Sequence, residues 1–216
     1  MISYLKKRGR DFLKEIIYAT TNTGKLNHMK KMIKDLDIKI YALPDNKDGK
    51  KINPIYESGK TPIENAEIKA IHYYKYFKTS LFSCDSGLYI KGLPVEKQPG
   101  VNVRRVNGEN LTDEKMIEYY SSLINKLGGK AVAWYINAIY CIIDKNKIFS
   151  YSGEPISEKF ILTDLPHKKR IKGFPLDSLS MDINSNKYYF DLKENEKGNK
   201  VSSGFKTFFE KILNYL

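Results

Sequence analysis

Residues 81–88, Leu81-Phe82-Ser83-Cys84-Asp85-Ser86-Gly87-Leu88, constrain this chain more than any other stretch. Four apolar or small residues predict a short buried strand; an acid follows, and the Ser-Gly pair then predicts a turn of the backbone. A carboxylate at the junction of a buried strand and a tight turn is held rigidly at an open sheet edge. In α/β sheets that edge is where ligands bind. The plainer reading is that Asp85 caps a turn through its own backbone, so the rest of the chain has to separate the two.

A chain of 216 residues holds one sizeable domain, or two lobes that share a core. No apolar run approaches the ~20 residues that span a bilayer, so no membrane partner is expected. Residues 1–15 read as an N-terminal leader; they carry positive charge but lack the apolar stretch and small-residue cleavage site of a secretory signal. Cys84 and Cys141 lie far apart with no CxxC or Cys/His spacing, which argues against a disulfide framework or a zinc site. A reducing cytoplasm is the expected location. The net charge of +12 raises the question of nucleic acid. The lysines are dispersed, however (Lys6, Lys30, Lys50, Lys75, Lys126, Lys168, Lys197), and the longest basic cluster is His167-Lys168-Lys169-Arg170. Nucleic acid therefore stays the weaker partner reading, and an anionic substrate such as a nucleoside triphosphate accounts for part of the basic excess.

In chain order, residues 15–20 predict a first strand that breaks into Thr21-Asn22-Thr23-Gly24-Lys25 before a helix over 26–36 with apolar Leu26, Met29, Ile33 and Leu36. Strand, polar turn with Gly and Lys, then helix N-terminus is a natural phosphate site, because backbone amides and the helix dipole face the anion. The spacing is not that of a Walker A loop. Residues 38–43 predict a second strand and 44–60 a polar loop. Thr61, Pro62 and Glu64 then predict a capped helix to about Phe77. Lys69, five residues after Glu64, has no i,i+4 partner there and is expected in solvent. Residues 88–90 read as a short extended return, followed by an irregular loop to Arg104-Arg105. Thr112 caps a helix that stops at Gly128-Gly129. The longest β signal, residues 131–143, turns at Asp144-Lys145-Asn146-Lys147 into 148–151. Residues 160–162 predict another strand, 163–187 a loop-rich stretch, 188–192 a short strand or helical turn, and 203–215 an amphipathic helix. This order predicts an α/β protein with a mixed sheet.

Placed in order, five stretches give the chain a resemblance to the inosine triphosphate pyrophosphatase family, which removes non-standard purine nucleotides. Ala19-Thr20-Thr21-Asn22-Thr23-Gly24-Lys25 resembles the opening ATGNxGK, with Thr21 in place of glycine. Glu57-Ser58-Gly59-Lys60-Thr61-Pro62-Ile63-Glu64-Asn65-Ala66-Glu67-Ile68-Lys69-Ala70 is similar to ETGxTFxENAxxKA. Cys84-Asp85-Ser86-Gly87-Leu88 resembles DDSGL except at the first acid. Pro99-Gly100-Val101 with Arg105 resembles PGxxSAR, and Gly173-Phe174-Pro175-Leu176-Asp177 resembles GFGYD. The resemblance runs from about residue 16 to 216. It implies a single domain of two lobes over 16–216, with an elongated mixed sheet flanked by helices and a central cleft.

The resemblance also implies a homodimer, a magnesium ion, and hydrolysis of a nucleoside triphosphate to monophosphate and pyrophosphate. By the same resemblance Glu57 and Asp85 are metal ligands; Asp85, Lys25 and Lys69 are catalytic; and Thr20, Asn22, Lys25, Lys69, Ser86 and Arg105 contact substrate. Phe174 would stack on the base, with Asp177 near it. The family's Ser-His-Arg base-recognition motif is absent: the matching stretch is Ser202-Ser203-Gly204-Phe205-Lys206. Ser202 and Ser203 remain candidates to bond the base, with Lys197, Lys200 or Lys206 supplying charge. Cys84 replaces an acid with a poor magnesium ligand, which leaves open a weakened relative that binds nucleotides or nucleic acid without efficient hydrolysis. Singly, Lys25 and Lys69 read equally well as solvated lysines, Phe174 as a core aromatic and Asp177 as a turn residue. Their joint order with Asp85 is what marks a site.

Overall fold

The computed structural model describes residues 14–47, 50–51, 53, 55–154, 156–193, 196 and 200–216. Most of the leader and the candidate Lys197 lie outside the described residues. Strand β1 (Lys14–Tyr18) alternates so that Ile16 and Tyr18 are buried. It ends two residues earlier than expected, because the Thr20 N–H turns back to the Tyr18 carbonyl. Asn22 caps helix α1 (Thr23–Met32), and β2 (Ile38–Ala42) pairs with β1 in parallel. Two short strands, β3 (Asn46–Lys47) and β4 (Lys50–Lys51), form an antiparallel ladder within the stretch expected to be loop. Helix α2 (Pro62–Phe77) starts where the Thr61-Pro62 signal put it, with Thr61 Oγ1 accepting the Glu64 N–H. Glu64 reaches back one residue further than a standard capping box, to the Lys60 N–H at 2.7 Å.

The expected break after Asp85 is overturned. Strand β5 (Leu81–Ile90) runs without a turn through Asp85-Ser86-Gly87, and residues 88–90 continue it instead of returning. Gly87 is there for closeness. A Cβ at that position would meet Pro62 Cγ at 3.2 Å and the Gly100 carbonyl at 3.3 Å, and Leu88 exchanges two main-chain hydrogen bonds with Gly100. A glycine inside a strand marks close backbone approach as often as a turn.

Beyond β5, the short hairpin β6 (Arg105–Val106) and β7 (Glu109–Asn110) leads to α3 (Asp113–Asn125). That helix is capped by Thr112 and stopped at Gly128 and Gly129, whose φ values of 94° and 88° favour glycine. The predicted long strand and hairpin appear as β8 (Lys130–Asp144) and β9 (Lys147–Ser152). β10 (Lys159–Thr163), β11 (Ser180–Met181) and α4 (Lys200–Leu213) follow. The sheet order is β11-β10-β8-β5-β1-β2, with β9 also on β8. β1 runs parallel to β2 and β5, whereas β8 is antiparallel to β5 and β10, so the sheet is mixed as expected. Helices flank it.

Long β5 and β8 form a spine that serves separate cores. At one end Phe82 and Ile139 pack with Ile16, Leu26 and Phe209 beneath α1 and α4. At the other, Leu88, Ile90 and Ala133 pack with Ile117, Tyr120 and Ile124 of α3. A third group, including Ala70, Tyr73, Leu81 and Ile142, lies under α2. Asp85 sits between the two ends of the spine. Among the described residues, no helix is long and apolar enough to cross a membrane.

Candidate active site

Successive strand residues point to opposite faces, so Ser83, Asp85 and Gly87 of β5 all face α2. Ser83 Oγ donates to the Ala66 carbonyl, and Gly87 lies against Pro62. Between them, Asp85 Oδ1 accepts from Lys69 Nζ at 3.2 Å. The same ammonium is 3.2 Å from Glu57 Oε2. Lys69, expected in solvent, is only 12% exposed at its side chain and lies between two carboxylates, one from a loop and one from a strand. Burial works against its charge, but Asp85 and Glu57 outweigh it and raise the lysine above its ordinary range.

Glu57 is held in place through a residue to which the motif reading assigned no role. Buried Asn65 accepts the Gly59 N–H with Oδ1 at 2.8 Å, which pins the Glu57-Ser58-Gly59 loop to the first turns of α2. A Cβ at Gly59 would lie 2.6 Å from that oxygen. The signal was an asparagine on the buried face of a predicted helix, which needs a polar partner.

The turn before α1 is closed by side-chain hydrogen bonds. Thr20 Oγ1 accepts the Asn22 N–H at 3.2 Å, and Asn22 Oδ1 accepts the Lys25 N–H at 3.1 Å. Lys25 is partly buried, and among the described residues no carboxylate lies within ion-pair distance of it. Burial first, and repulsion from Lys69 second, push its ammonium below the ordinary lysine range, with Asp85, Cys84 and Glu57 opposing. An under-compensated cation beside a helix N-terminus favours an anion.

Gly173 and Phe174 close over this turn. Gly173, at φ +84°, abuts the Asn22 carboxamide, and a Cβ on Gly24 would fall 2.7 Å from the Phe174 ring. Phe174 also meets His28 edge-on at 6.1 Å. Asp177 follows in the same short helical turn, and burial raises its carboxyl to about 6. The structure thus brings Thr20, Asn22, Lys25 and Phe174 together near the Glu57–Lys69–Asp85 cluster, while Asp177 lies near Tyr135 of β8.

Other predicted residues are placed differently. Ser86 faces away from Asp85 and donates to Asn137 Oδ1 at 2.7 Å. Arg105 is exposed, with its guanidinium 5.6 Å from the Tyr56 ring, next to Glu57. Ser202 lies within α4, its hydroxyl on the Met32 carbonyl at the end of α1 remote from Asn22. Ser203 is exposed, and Lys206 pairs with Asp35 at 3.8 Å. Cys84 occupies the sheet face opposite Asp85, packed toward the core under α1. Burial pushes its thiol up to about 12, although a hydrogen bond with Tyr18 and the charges of Lys25 and Lys69 work the other way. It is a neutral group.

Comparison with known proteins identifies the family. The profile of the Ham1 family matches residues 16–203. The chain is 37% identical to a dITP/XTP pyrophosphatase of Coxiella burnetii over 109 residues, a match covering 48% of this chain and about half (49%) of that relative's length. It is 30% identical to a dITP/XTP pyrophosphatase of Thermoanaerobacter pseudethanolicus over 188 residues, covering 87% of this chain and 89% of that protein. The solved structure of a HAM1 protein from Coxiella burnetii superposes with a TM-score of 0.68 at 24% identity, covering 94% of this chain and all of the other, and so shares its fold. With the motifs in order, the mixed sheet in place and the match running almost end to end, this chain belongs to the Ham1 family.

Proposed function

We propose that this protein hydrolyses nucleoside triphosphates carrying non-standard purine bases to the monophosphate and pyrophosphate. One observation carries the reading: Lys69 is clamped 3.2 Å from both Glu57 and Asp85, near the ammonium of Lys25 at the N-terminus of α1, which has no carboxylate partner among the described residues. Two carboxylates and two ammoniums, one of them at a helix start, suit a polyphosphate with a hard cation. The family relatives named dITP/XTP pyrophosphatase support the same substrate class.

The donor set fits magnesium, which takes oxygen ligands and commonly binds through one or two carboxylates together with substrate phosphates. Glu57 and Asp85 would hold it, and when bound it supplies Lewis acidity at the phosphate oxygens. The chain's own residues do the rest. Asn22, Lys25 and the first amides of α1 bind the triphosphate and take up negative charge on the departing pyrophosphate. Asp85 orients a water for in-line attack at the α-phosphorus and receives its proton. The new P–O bond forms as the bond from that phosphorus to the bridging oxygen breaks. Lys69 keeps the two carboxylates convergent before substrate arrives. Phe174 stacks on the base, and Asp177 lines the same side.

The reading includes a homodimer. By strand alternation Tyr89 and Trp134, stacked at 6.0 Å, lie on the sheet face away from α3, and both are only half-buried. Such an aromatic pair is a suitable anchor for a second copy. A cytoplasmic location follows from the substrate, whose pool is there, and is compatible with the two free cysteines. The test is pyrophosphate release from a panel of triphosphates with magnesium, beside Asp85→Asn. Release from deaminated purine triphosphates, lost in the variant, is the expected result. Folded protein that releases nothing from any triphosphate would sink the reading.

A further inference from the structure

Asp113 lies outside the Glu57–Lys69–Asp85 cluster, and the mechanism above gives it no part. Its carboxylate nevertheless joins segments that are distant in sequence. Oδ2 accepts the Gly173 N–H at 2.8 Å, and Oδ1 accepts from Arg104 Nη2 at 2.7 Å. Arg104 in turn donates through Nη1 to the Leu111 carbonyl at 2.9 Å. The acid itself is well anchored. It is the first residue of α3, after the Thr112 cap, where a carboxylate is favoured by the helix dipole. The helix behind it is fixed by Ile117, Tyr120 and Ile124 in the core.

What Asp113 holds is close to the reaction. Gly173 abuts the carboxamide of Asn22, the cap of the phosphate-binding helix, and Phe174 lies against Gly24. Through Arg104 the same carboxylate ties the Gly173 turn to the loop that enters α3. An exposed ion pair alone contributes little. This one also satisfies the main-chain N–H of a left-handed glycine, in a turn that the Phe174 N–H closes onto the Ile171 carbonyl at 3.0 Å.

We propose that Asp113 is a positioning residue: by holding Gly173 and Arg104 at once, it sets the Gly173-Phe174 turn over the N-terminus of α1 and thereby the seat of the substrate's base. This rests on the hydrolase reading above. Its carboxylate bonds Gly173 and Arg104 rather than Asn22 or Lys25, so its effect falls on substrates that have a base to seat.

The experiment compares wild type with Asp113→Ala and Asp113→Asn in the full chain. It measures amide exchange at Gly173 and pyrophosphate release from a nucleoside triphosphate and from methyl triphosphate, which has no base. Asp113→Ala is expected to speed Gly173 exchange ~10-fold or more and to raise KM for the nucleoside substrate ~10-fold, with methyl triphosphate turnover changed less than ~2-fold. Asp113→Asn keeps an acceptor oxygen and should recover most of the nucleoside KM. Unchanged exchange and KM in Asp113→Ala overturn the proposal. So does an equal loss on both substrates, which is what general destabilisation produces. If Asp113→Ala does not fold, Arg104→Ala decides: a KM rise confined to the nucleoside substrate supports the proposal, and any other pattern refutes it. A wild-type protein that releases no pyrophosphate from any nucleoside triphosphate overturns the hydrolase reading and this inference with it. That outcome is distinct from an active wild type whose Asp113 variants are unaffected.

Discussion

The two sides of the candidate site are built from different material. On the phosphate side, Asn22 caps α1, Lys25 stands in its first turn, Lys69 lies in α2 and Asp85 in the middle of β5; Thr20 lies in the turn before α1, and Glu57 comes from a loop that Asn65 pins to α2. On the base side, Phe174 and Asp177 sit in one turn of 3-10 helix and its preceding loop, held from outside by Asp113. Regular elements packed in a core are held closely by their neighbours, whereas Gly173 and Phe174 are loop backbone ahead of the buried Pro175 and Leu176. The sequence departs from the family's motifs on both sides: Pro175 and Leu176 on the base side and Cys84 near the charges, while the Ser202-Ser203 stretch lies on α4 against the far end of α1. The phosphate side demands charge at fixed points for every triphosphate. The base side needs only shape and a few hydrogen bonds, and it can be rebuilt without touching the chemistry.

This contrast can be broken by substitution. The largest effect is expected for Asp85→Asn, which should lower kcat by ~10³-fold or more with the fold intact, since in the proposed mechanism Asp85 would hold the metal and orient the water. Steady-state kinetics with a circular-dichroism control measures it. Lys25→Met should reduce kcat/KM by ~10²-fold, and by the same factor for every base in a panel. A loss that varies from base to base would show that the two sides are not separable. Phe174→Ala should do the reverse, raising KM ~10-fold for purine substrates while leaving methyl triphosphate nearly unchanged.

Asp177 sharpens the comparison through pH. Its folded-state value of about 6 lies above the ordinary 3.8, so the folded protein binds this proton more tightly than the unfolded chain. Stability then falls as pH rises from about 4 to about 6, and the full penalty stands at neutral pH. Discounted for partial exposure, it is on the order of 1–2 kcal/mol. Asp177→Asn should therefore be more stable than wild type at pH 7 and no more stable at pH 4, by denaturant melts at both. The smallest effect is expected for Ser203→Ala. The hydroxyl is exposed on α4, whose neighbouring Ser202 touches the far end of α1, so activity on every base should stay within ~2-fold of wild type. A large, base-selective loss would instead place the base beside α4.

Much of the framework was legible in the sequence because its signals are local. Thr61-Pro62 started a helix, Gly128-Gly129 stopped one, and Asp144-Lys145-Asn146-Lys147 turned a hairpin, each through the backbone preferences of the residues concerned. The glycine in Ser86-Gly87 misled for an instructive reason. Glycine serves tight turns and close contacts alike, and the contact here is with Pro62 and Gly100, which no neighbouring residue announces.

The chain alone determined the order of strands and helices, the charge types available, and the five motifs that carry the family. Only the tertiary structure decided that Lys69 leaves solvent to join Glu57 and Asp85, that Ser86 and Cys84 face away from that acid, and that Asp113 reaches Gly173 across 60 residues. Helix and turn signals depend on the nearest few residues. The meeting of a loop, a helix and a strand depends on how α2 is rotated against the sheet, and that rotation is set by the packing of Ala66, Ala70 and Tyr73 on β5 and β8.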